Sequence, residues 1–159
     1  MRLIPRAADG QGDSCDLRVV DDPHSRLVGD TSTIINLIAT GSAHAIASAL
    51  PNPIVVVDVV LRELETGRVR GREACDRLKE LVAGGVLEIV ELGDHAAPYF
   101  EDLVIGPAAA TLDDGEAAPI AYAVSHGDTA LIDERKATRI CAERYPQLRI
   151  ACTVDVLVH

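Results

Sequence analysis

The stretch PIVVVDVVLRELETG, residues 53–67, decides the fold class of this chain. Its first half holds four consecutive apolar residues, three of them valine, and such a run is typical of a strand buried on both faces. The second half predicts a helix, which Asp58 can cap and Gly67 can end. The stretch therefore predicts a buried strand that leads directly into a helix.

The same alternation of strand and helix continues through the chain from Arg26 onward. The predicted strands lie at residues 26–28, 53–58, 86–92, 128–133 and 147–153. The predicted helices lie at residues 31–41, 42–49, 59–67, 71–85, 95–106, 114–127 and 134–145, and one more can start near 154. Because strands that alternate with helices imply right-handed crossovers, we expect an α/β fold whose parallel sheet is covered on both faces.

The composition predicts a single domain. With 159 residues, of which 48% are hydrophobic and 3% aromatic, the chain is long enough for one domain with an aliphatic core. Residues 1–25 mix charge, Gly and Pro, and we expect them to form a flexible N-terminal extension to a domain at 26–159. No apolar run reaches the roughly 18 residues of a membrane span, and no signal peptide begins the chain, so we expect a cytoplasmic protein without membrane association.

Charge and motifs exclude several classes of function. The net charge of −10 counts against a broad basic face for nucleic acid, although basic residues cluster within residues 62–79 and 135–149. The four cysteines have no CxxC spacing and the five histidines are scattered, which argues against a zinc site and a disulfide framework. The sequence also lacks the motifs GxSxG, GxxxxGK[ST] and GxGxxG.

Four acidic residues are predicted to lie at the carboxyl edge of the sheet, where open parallel sheets bind ligands. Asp30 and Asp133 each follow a predicted strand, and Glu63 lies on the helix after the second strand. Glu116 opens another helix, because Pro119 is tolerated only in a first turn and requires a start near residue 115 or 116. Converging carboxylates raise one another's pKa unless a cation neutralises them, and oxygen ligands suit Mg²⁺ or Mn²⁺.

Each of these acids also has a structural interpretation. Asp30 and Asp133 can be helix caps, worth about 1 kcal/mol each. Glu63 can be a solvent-facing helix residue, and Glu116 can gain about 0.3 to 1 kcal/mol from the helix dipole. The two functions can also divide in the first segment, if a hydroxyl residue at 31–33 caps the helix and leaves Asp30 free to bind metal.

Four segments together resemble the sequence blocks of PIN-domain proteins, in the same order and with similar separations. They are VGDTSTIINL at 28–37, VVLREL at 59–64, DDGEAAPIAYA at 113–123 and LIDERKATRICAERY at 131–145. The likeness covers about residues 26–159 and is nearest to the VapC-like branch of type II toxin–antitoxin toxins, whose third and fourth blocks read Gly-Glu-Ala and Ile-Asp-Asp-Arg. It implies a three-layer α/β/α sandwich with a central, mainly parallel sheet of about five strands, and a divalent-metal-dependent ribonuclease.

The resemblance also implies roles for individual residues. Carried over by position, the catalytic and metal-binding acids are Asp30, Glu63, Glu116 and Asp133, which would hold Mg²⁺ or Mn²⁺. Ser32 matches the hydroxyl residue beside the first acid. The third acid is often Asp in the wider family, and Asp113 and Asp114 are nearby alternatives to it. Glu134 stands where the branch often has a second Asp, and the last segment, ACTVDVL, lacks the Gly that is usual before its Thr.

Two classes of function follow. The first is an endoribonuclease toxin that hydrolyses RNA, is neutralised by an antitoxin protein and forms a homodimer. Arg135 and Arg139, with Arg144 on the same helix, are its candidates for contacts to the RNA backbone, although a solvated helix face is the favoured interpretation of these arginines. The second is a catalytically degenerate PIN-like domain that serves as a protein-interaction scaffold. A receiver-like phosphoacceptor is disfavoured, because it needs a lysine after a late strand and the only lysines are Lys79 and Lys136.

Overall fold

A computed structural model of the chain describes residues 24–67 and 69–158, and of residues 69–71 only the backbone. The extension predicted for residues 1–25 lies outside the described residues as far as residue 23. None of the described helices combines the length and the apolar content that crossing a lipid bilayer requires.

The described residues form five strands and eight α-helices. The strands are β1 (Leu27–Gly29), β2 (Ile54–Val57), β3 (Leu87–Val90), β4 (Thr129–Leu131) and β5 (Arg149–Ala151). The helices are α1 (Thr31–Ala39), α2 (Ala43–Ala49), α3 (Asp58–Thr66), α4 (Val69–Ala83), α5 (Gly93–Val104), α6 (Asp114–His126), α7 (Arg135–Arg144) and α8 (Thr153–Val158), with one 3-10 turn at Ala108–Ala110. Each predicted strand and helix is therefore present.

The strands form one sheet in the order β3-β2-β1-β4-β5, and every neighbouring pair is parallel. Gly29 of β1 lies beside Val56 of β2 on one side and Leu131 of β4 on the other. The strand order reverses at β1, because the chain builds outward to β3 and then returns to the other side of β1. At such a reversal the carboxyl ends of neighbouring strands leave a crevice in which ligands bind.

Each face of the sheet has its own apolar core, because successive residues of a strand point to opposite faces. Leu27 and Val56 pack with α1 to α4 and α8 on one face. Val28 and Val55 pack with α5, α6 and α7 on the other. Helices on both sides of a parallel sheet make a three-layer α/β/α sandwich, which confirms the predicted fold class.

The predicted start of α6 is wrong by one or two residues. This helix begins at Asp114, so Pro119 is its sixth residue and lies beyond the first turn. Proline has no N–H for the carbonyl four residues earlier, and a proline inside a helix costs about 3 kcal/mol. Residues 117–123 are all buried, and their packing offsets that cost.

The predicted cap of α3 is also wrong. Asp58 is the first residue of this helix rather than its N-cap. Its carboxylate instead accepts hydrogen bonds from Leu92 N–H at 3.1 Å and from Arg62 at 3.0 Å. Asp58 therefore links the carboxyl ends of β2 and β3, next to the crevice.

Candidate functional site

Asp30 follows β1 directly and is only 2% exposed. Its backbone is extended, and its Oδ1 accepts a 2.6 Å hydrogen bond from Thr33 N–H, which makes Asp30 the N-cap of α1. Ser32 Oγ donates to both carboxylate oxygens of Asp30, at 3.0 and 3.1 Å. The predicted division, in which a residue at 31–33 caps the helix, is wrong because those residues already have helical backbone and only Asp30 precedes the first turn.

Asp133 follows β4 and is exposed, yet three hydrogen bonds hold its carboxylate. Thr153, at the start of α8, donates from its N–H at 2.7 Å and from its Oγ1 at 2.5 Å. Asn36 of α1 donates to Asp133 Oδ2 at 3.0 Å. Asp133 is not the N-cap of α7, so the structure gives it no capping role and fixes its orientation from two other helices.

Glu63 lies on an exposed part of α3 and points towards α1 and α6. Its Oε2 accepts a 2.6 Å hydrogen bond from Thr31 Oγ1. The neighbouring residue of α6 is Gly115, where an added Cβ would stand 1.6 Å from Glu63 Oε2 and 2.7 Å from Thr31 Oγ1. The absence of a side chain at Gly115 therefore creates the space that the Glu63 carboxylate occupies.

Glu116 is half-buried in the first turn of α6. Asp113 Oδ1 accepts from Glu116 N–H at 3.0 Å, and Glu116 Oε2 accepts from Asp113 N–H at 3.4 Å. These reciprocal bonds are a capping box. Asp113 is therefore a cap, and Glu116 has a structural role as the other member of the capping box.

The two supporting acids have different surroundings. Glu134 is the N-cap of α7, and its Oε2 accepts from Ala137 N–H at 2.7 Å. Asp114 is exposed, and none of the described residues donates a hydrogen bond to its carboxylate. Glu134 is therefore the N-cap of α7, a role that the sequence analysis gave as an alternative for Asp133.

The charges of these carboxylates act on one another. Burial raises the pKa of Asp30; hydrogen bonds from Thr33 and Ser32 oppose that rise and the charge of Asp133 adds to it. Burial also raises the pKa of Glu116, together with the charges of Asp113, Glu134 and Asp30. The cluster is therefore electrostatically strained when all its members are ionised, and a bound cation would relieve that strain.

The chemistry of the donors fits a hard divalent cation. Carboxylate and hydroxyl oxygens are the ligands that Mg²⁺ and Mn²⁺ prefer. Within residues 24–67 and 69–158, however, no group of three or more His, Cys, Asp or Glu residues is close enough to hold a metal ion with its side chains as they stand. The charge of Asp133 acts on Asp30 and that of Asp30 acts on Glu116, whereas Glu63 is bonded to Thr31, so ligation by all four would require side-chain rotation.

Two of the arginines that were candidates for RNA contacts are engaged within the domain. Arg139 donates to Ala109 O at 3.1 Å and pairs with Glu143 at 3.2 Å. Arg144 donates to the carboxylate of Asp102 at 3.2 Å and to Ala110 O at 2.6 Å. These bonds join α7 to α5 and to the connection between α5 and α6, which leads to the candidate site.

Arg135 differs from both. It is exposed at the first position of α7, and it makes no hydrogen bond or ion pair with any described residue. Its guanidinium is therefore the one among these three that stays available to an external anion.

Four residues at the site were not predicted as site residues: Thr31, Asn36, Gly115 and Thr153. The first three lie inside the segments that resemble PIN-domain blocks, and the fourth is the Thr of the last segment. Their position in those segments was a signal, but their partners come from other elements and could not be assigned without the fold.

The fold and the acids define an α/β protein with an acidic site at the strand reversal of a five-stranded parallel sheet. The family model described as "PIN domain" matches residues 26–159, and this chain belongs to the PIN-domain family. A chain of the crystal structure of VapBC2 from Rickettsia felis, bound to a DNA fragment from their promoter, is similar in fold. The TM-score is 0.54 and the identity 17%, over 79% of this chain and 97% of that chain. None of the curated proteins compared with this chain matches it.

Proposed function

We propose that this chain is a divalent-metal-dependent endoribonuclease and the toxin of a toxin–antitoxin pair. The observation that carries the proposal is that Asp30 and Asp133 follow the adjacent parallel strands β1 and β4 at the strand reversal, where Asn36 and Thr153 bond the Asp133 carboxylate. Burial and neighbouring charges also raise the pKa of Asp30 and of Glu116. Membership of the PIN-domain family supports it, because proteins of this family are typically nucleases.

In this proposal the metal ligands are Asp30, Glu63, Glu116 and Asp133, and the ion is Mg²⁺ or Mn²⁺. A divalent ion bound there supplies an activated water and stabilises the charge that develops in an in-line displacement at phosphorus. The products would carry 5′-phosphate and 3′-hydroxyl ends.

Hydrogen bonds within the chain orient or stabilise two of these acids. Thr153 and Asn36 hold the Asp133 carboxylate from two sides, which limits its rotation. Ser32 donates to Asp30 and stabilises its ionised form. Arg135 carries the charge that would contact an RNA phosphate beside the acids.

The partners follow from the same proposal. The similar Rickettsia felis structure is titled as VapBC2 bound to promoter DNA. By that likeness, we propose for this chain an antitoxin protein that pairs an arginine with these carboxylates, a homodimer, and a cytoplasmic location where RNA is the substrate. A short reading frame beside the gene, whose product relieves growth arrest caused by this chain, would support the pairing.

A second candidate is a degenerate PIN-like domain that acts only as an interaction scaffold. The separation of the acids, among which no described group is close enough to hold a metal ion, favours it. The net charge of −10 also opposes RNA unless cations screen the site.

One experiment separates the two candidates. Purified protein is incubated with structured RNA in Mn²⁺, in Mg²⁺ and in EDTA, beside the variants Asp30→Asn and Asp128→Asn. Asp128 is a matched control because it is also a buried aspartate, 6% exposed, but lies at the amino end of β4 in an ion pair with Arg26. Cleavage that requires metal and is lost only in Asp30→Asn supports the nuclease. A folded protein that neither cleaves RNA nor binds a divalent ion supports the interaction scaffold instead.

A further inference from the structure

A groove of about 750 Å³ opens between α3, α5 and α6, and we call it the α3–α6 groove. Val59, Leu92 and Phe100 form its apolar lining. Phe100 is the only phenylalanine of the chain and is half-buried. Its volume lies in the range of ligand sites, and the other side chains that line it are polar or charged.

The groove is continuous with the candidate active site. Glu63 and Gly115 line it, and they are the two residues whose close approach shapes the acidic crevice. A substrate group in the groove would therefore lie next to whatever the acids act on.

The polar groups of the groove are of two kinds. Arg62 lies along its wall with a side chain that is 65% exposed, and among the described residues only Asp58 accepts from one of its five N–H donors. Asp114 lies at the other side with a carboxylate that accepts nothing from the described residues, and the carboxylates of Glu63 and Asp113 also line the groove. The groove thus offers a cation for a phosphate, a carboxylate for hydrogen-bond donors and an aromatic ring for a planar group.

We propose that the α3–α6 groove is a nucleotide subsite that takes a guanine base of single-stranded RNA next to the scissile phosphate. The base stacks on Phe100, its N1–H and N2–H donate to Asp114, and Arg62 contacts the adjacent phosphate. Guanine fits best because its Watson–Crick edge has two neighbouring donors for one carboxylate, whereas the other bases present at most one exocyclic amino group beside an acceptor. This proposal rests on the proposed nuclease function.

A cationic peptide is the competing occupant, since the groove also carries carboxylates. The observations favour a nucleotide, because the ring of Phe100 offers a surface for a base, and because the groove joins the acids at Glu63, where the divalent ion of the proposed nuclease would offset the negative charge.

The test measures fluorescence anisotropy of labelled single-stranded RNA hexamers in Ca²⁺, which offsets the charge of the acids but lacks the strict octahedral coordination of Mg²⁺, and a gel confirms that the RNA stays intact. One hexamer contains a single guanine, and the other has inosine, which lacks the 2-amino group, at the same position. We expect the wild type to bind the guanine hexamer about 10-fold more tightly, since a hydrogen bond to a charged group is worth about 1.5 kcal/mol or more.

Matched variants assign the discrimination to the groove. Asp114→Asn is expected to reduce the guanine-to-inosine ratio towards 1, while Asp94→Asn, an exposed aspartate outside the groove, keeps it. Phe100→Leu is expected to weaken both hexamers about 5-fold or more, while Tyr99→Leu does not. Arg62→Gln is expected to weaken the binding of both hexamers. Arg77→Gln, at an arginine that is similarly exposed and paired but lies outside the groove, is the control and should not weaken it.

The outcomes separate this subsite from the nuclease proposal. A ratio of 1 in the wild type, or ratios unchanged in the groove variants, overturns the subsite; so does binding of an arginine-rich peptide in the groove without base discrimination. RNA cleavage in Mn²⁺ at sites independent of guanine supports the nuclease proposal and refutes the guanine subsite. Guanine-dependent binding without any cleavage keeps the subsite and removes the nuclease.

Discussion

The substitution Gly115→Ala tests whether Glu63 must occupy the space beside α6. An added Cβ at position 115 would stand 1.6 Å from Glu63 Oε2, whereas real contacts of a Cβ are not shorter than 3.0 Å. The carboxylate oxygen must therefore move by at least 1.4 Å, the difference of those distances, and its 2.6 Å hydrogen bond from Thr31 is lost.

That displacement is expected to have a large effect on metal-dependent catalysis and a small effect on the stability of the fold. Mg²⁺ holds its ligands at about 2.0 to 2.1 Å, and a misplacement of about 1 Å can cost roughly 100-fold in rate. For stability, alanine in a helix gains up to about 1 kcal/mol over glycine, while the lost hydrogen bond costs about 0.5 to 1.5 kcal/mol. We expect RNA cleavage to fall about 100-fold and the free energy of unfolding to change by less than about 1 kcal/mol.

The assay compares cleavage rates in Mn²⁺ with urea unfolding of the same preparations. Gly84→Ala is the matched control, because a Cβ there meets only ordinary contacts, the nearest at 3.4 Å, and the residue lies outside the site. Glu63→Gln is expected to lose as much activity as Gly115→Ala, and the double variant no more than either, since both act through one carboxylate. Full activity in Gly115→Ala would refute the assignment of Glu63 to the metal site.

Three further predictions concern the same site. Asp30→Asn is expected to stabilise the metal-free protein. Because the pKa of Asp30 is raised in the folded state, its ionisation destabilises the wild type as the pH rises above the ordinary carboxyl range. The urea midpoints of the wild type and the variant should therefore diverge between about pH 4 and 7, and equal midpoints would contradict this. Arg144→Gln is expected to lower the free energy of unfolding by about 2 kcal/mol, whereas Arg135→Gln should leave it unchanged and weaken RNA binding; the reverse pattern would contradict both assignments. Thr153→Val removes one donor to Asp133 and should weaken Mn²⁺ binding, measured by calorimetry, with retained fold; unchanged affinity would exclude an orienting role.

The sequence was sufficient for the fold because its signals are local. Apolar runs such as residues 54–57 and the breaks at Gly67 and Gly127 mark strands and helix ends without knowledge of the partners. The error at Pro119 has a tertiary cause, since buried packing of α6 offsets a local helix penalty.

The site was predicted less completely, because the sequence indicates which residues have suitable chemistry but not what surrounds them. Asp30 and Asp133 could be assigned to the sheet edge because each directly follows a predicted strand. The bonds that orient them cross between elements, as with Thr153 and Asp133, which are twenty residues apart. The intramolecular bonds of Arg144 could not be predicted from the sequence either, since they depend on the connection between α5 and α6 lying against α7.

Asp30 shows why a cap and a ligand need not be alternatives. Its Oδ1 is bonded to Thr33 N–H, and this bond fixes the carboxylate relative to the start of α1. Only one oxygen is needed for capping, so Oδ2 can face the crevice beside Asp133 with its direction already set. The capping bond then reduces the rotational freedom that metal binding would otherwise have to remove. A helix start immediately after a strand is therefore a favourable position for a metal-binding aspartate, because the fold that caps the helix also orients the ligand.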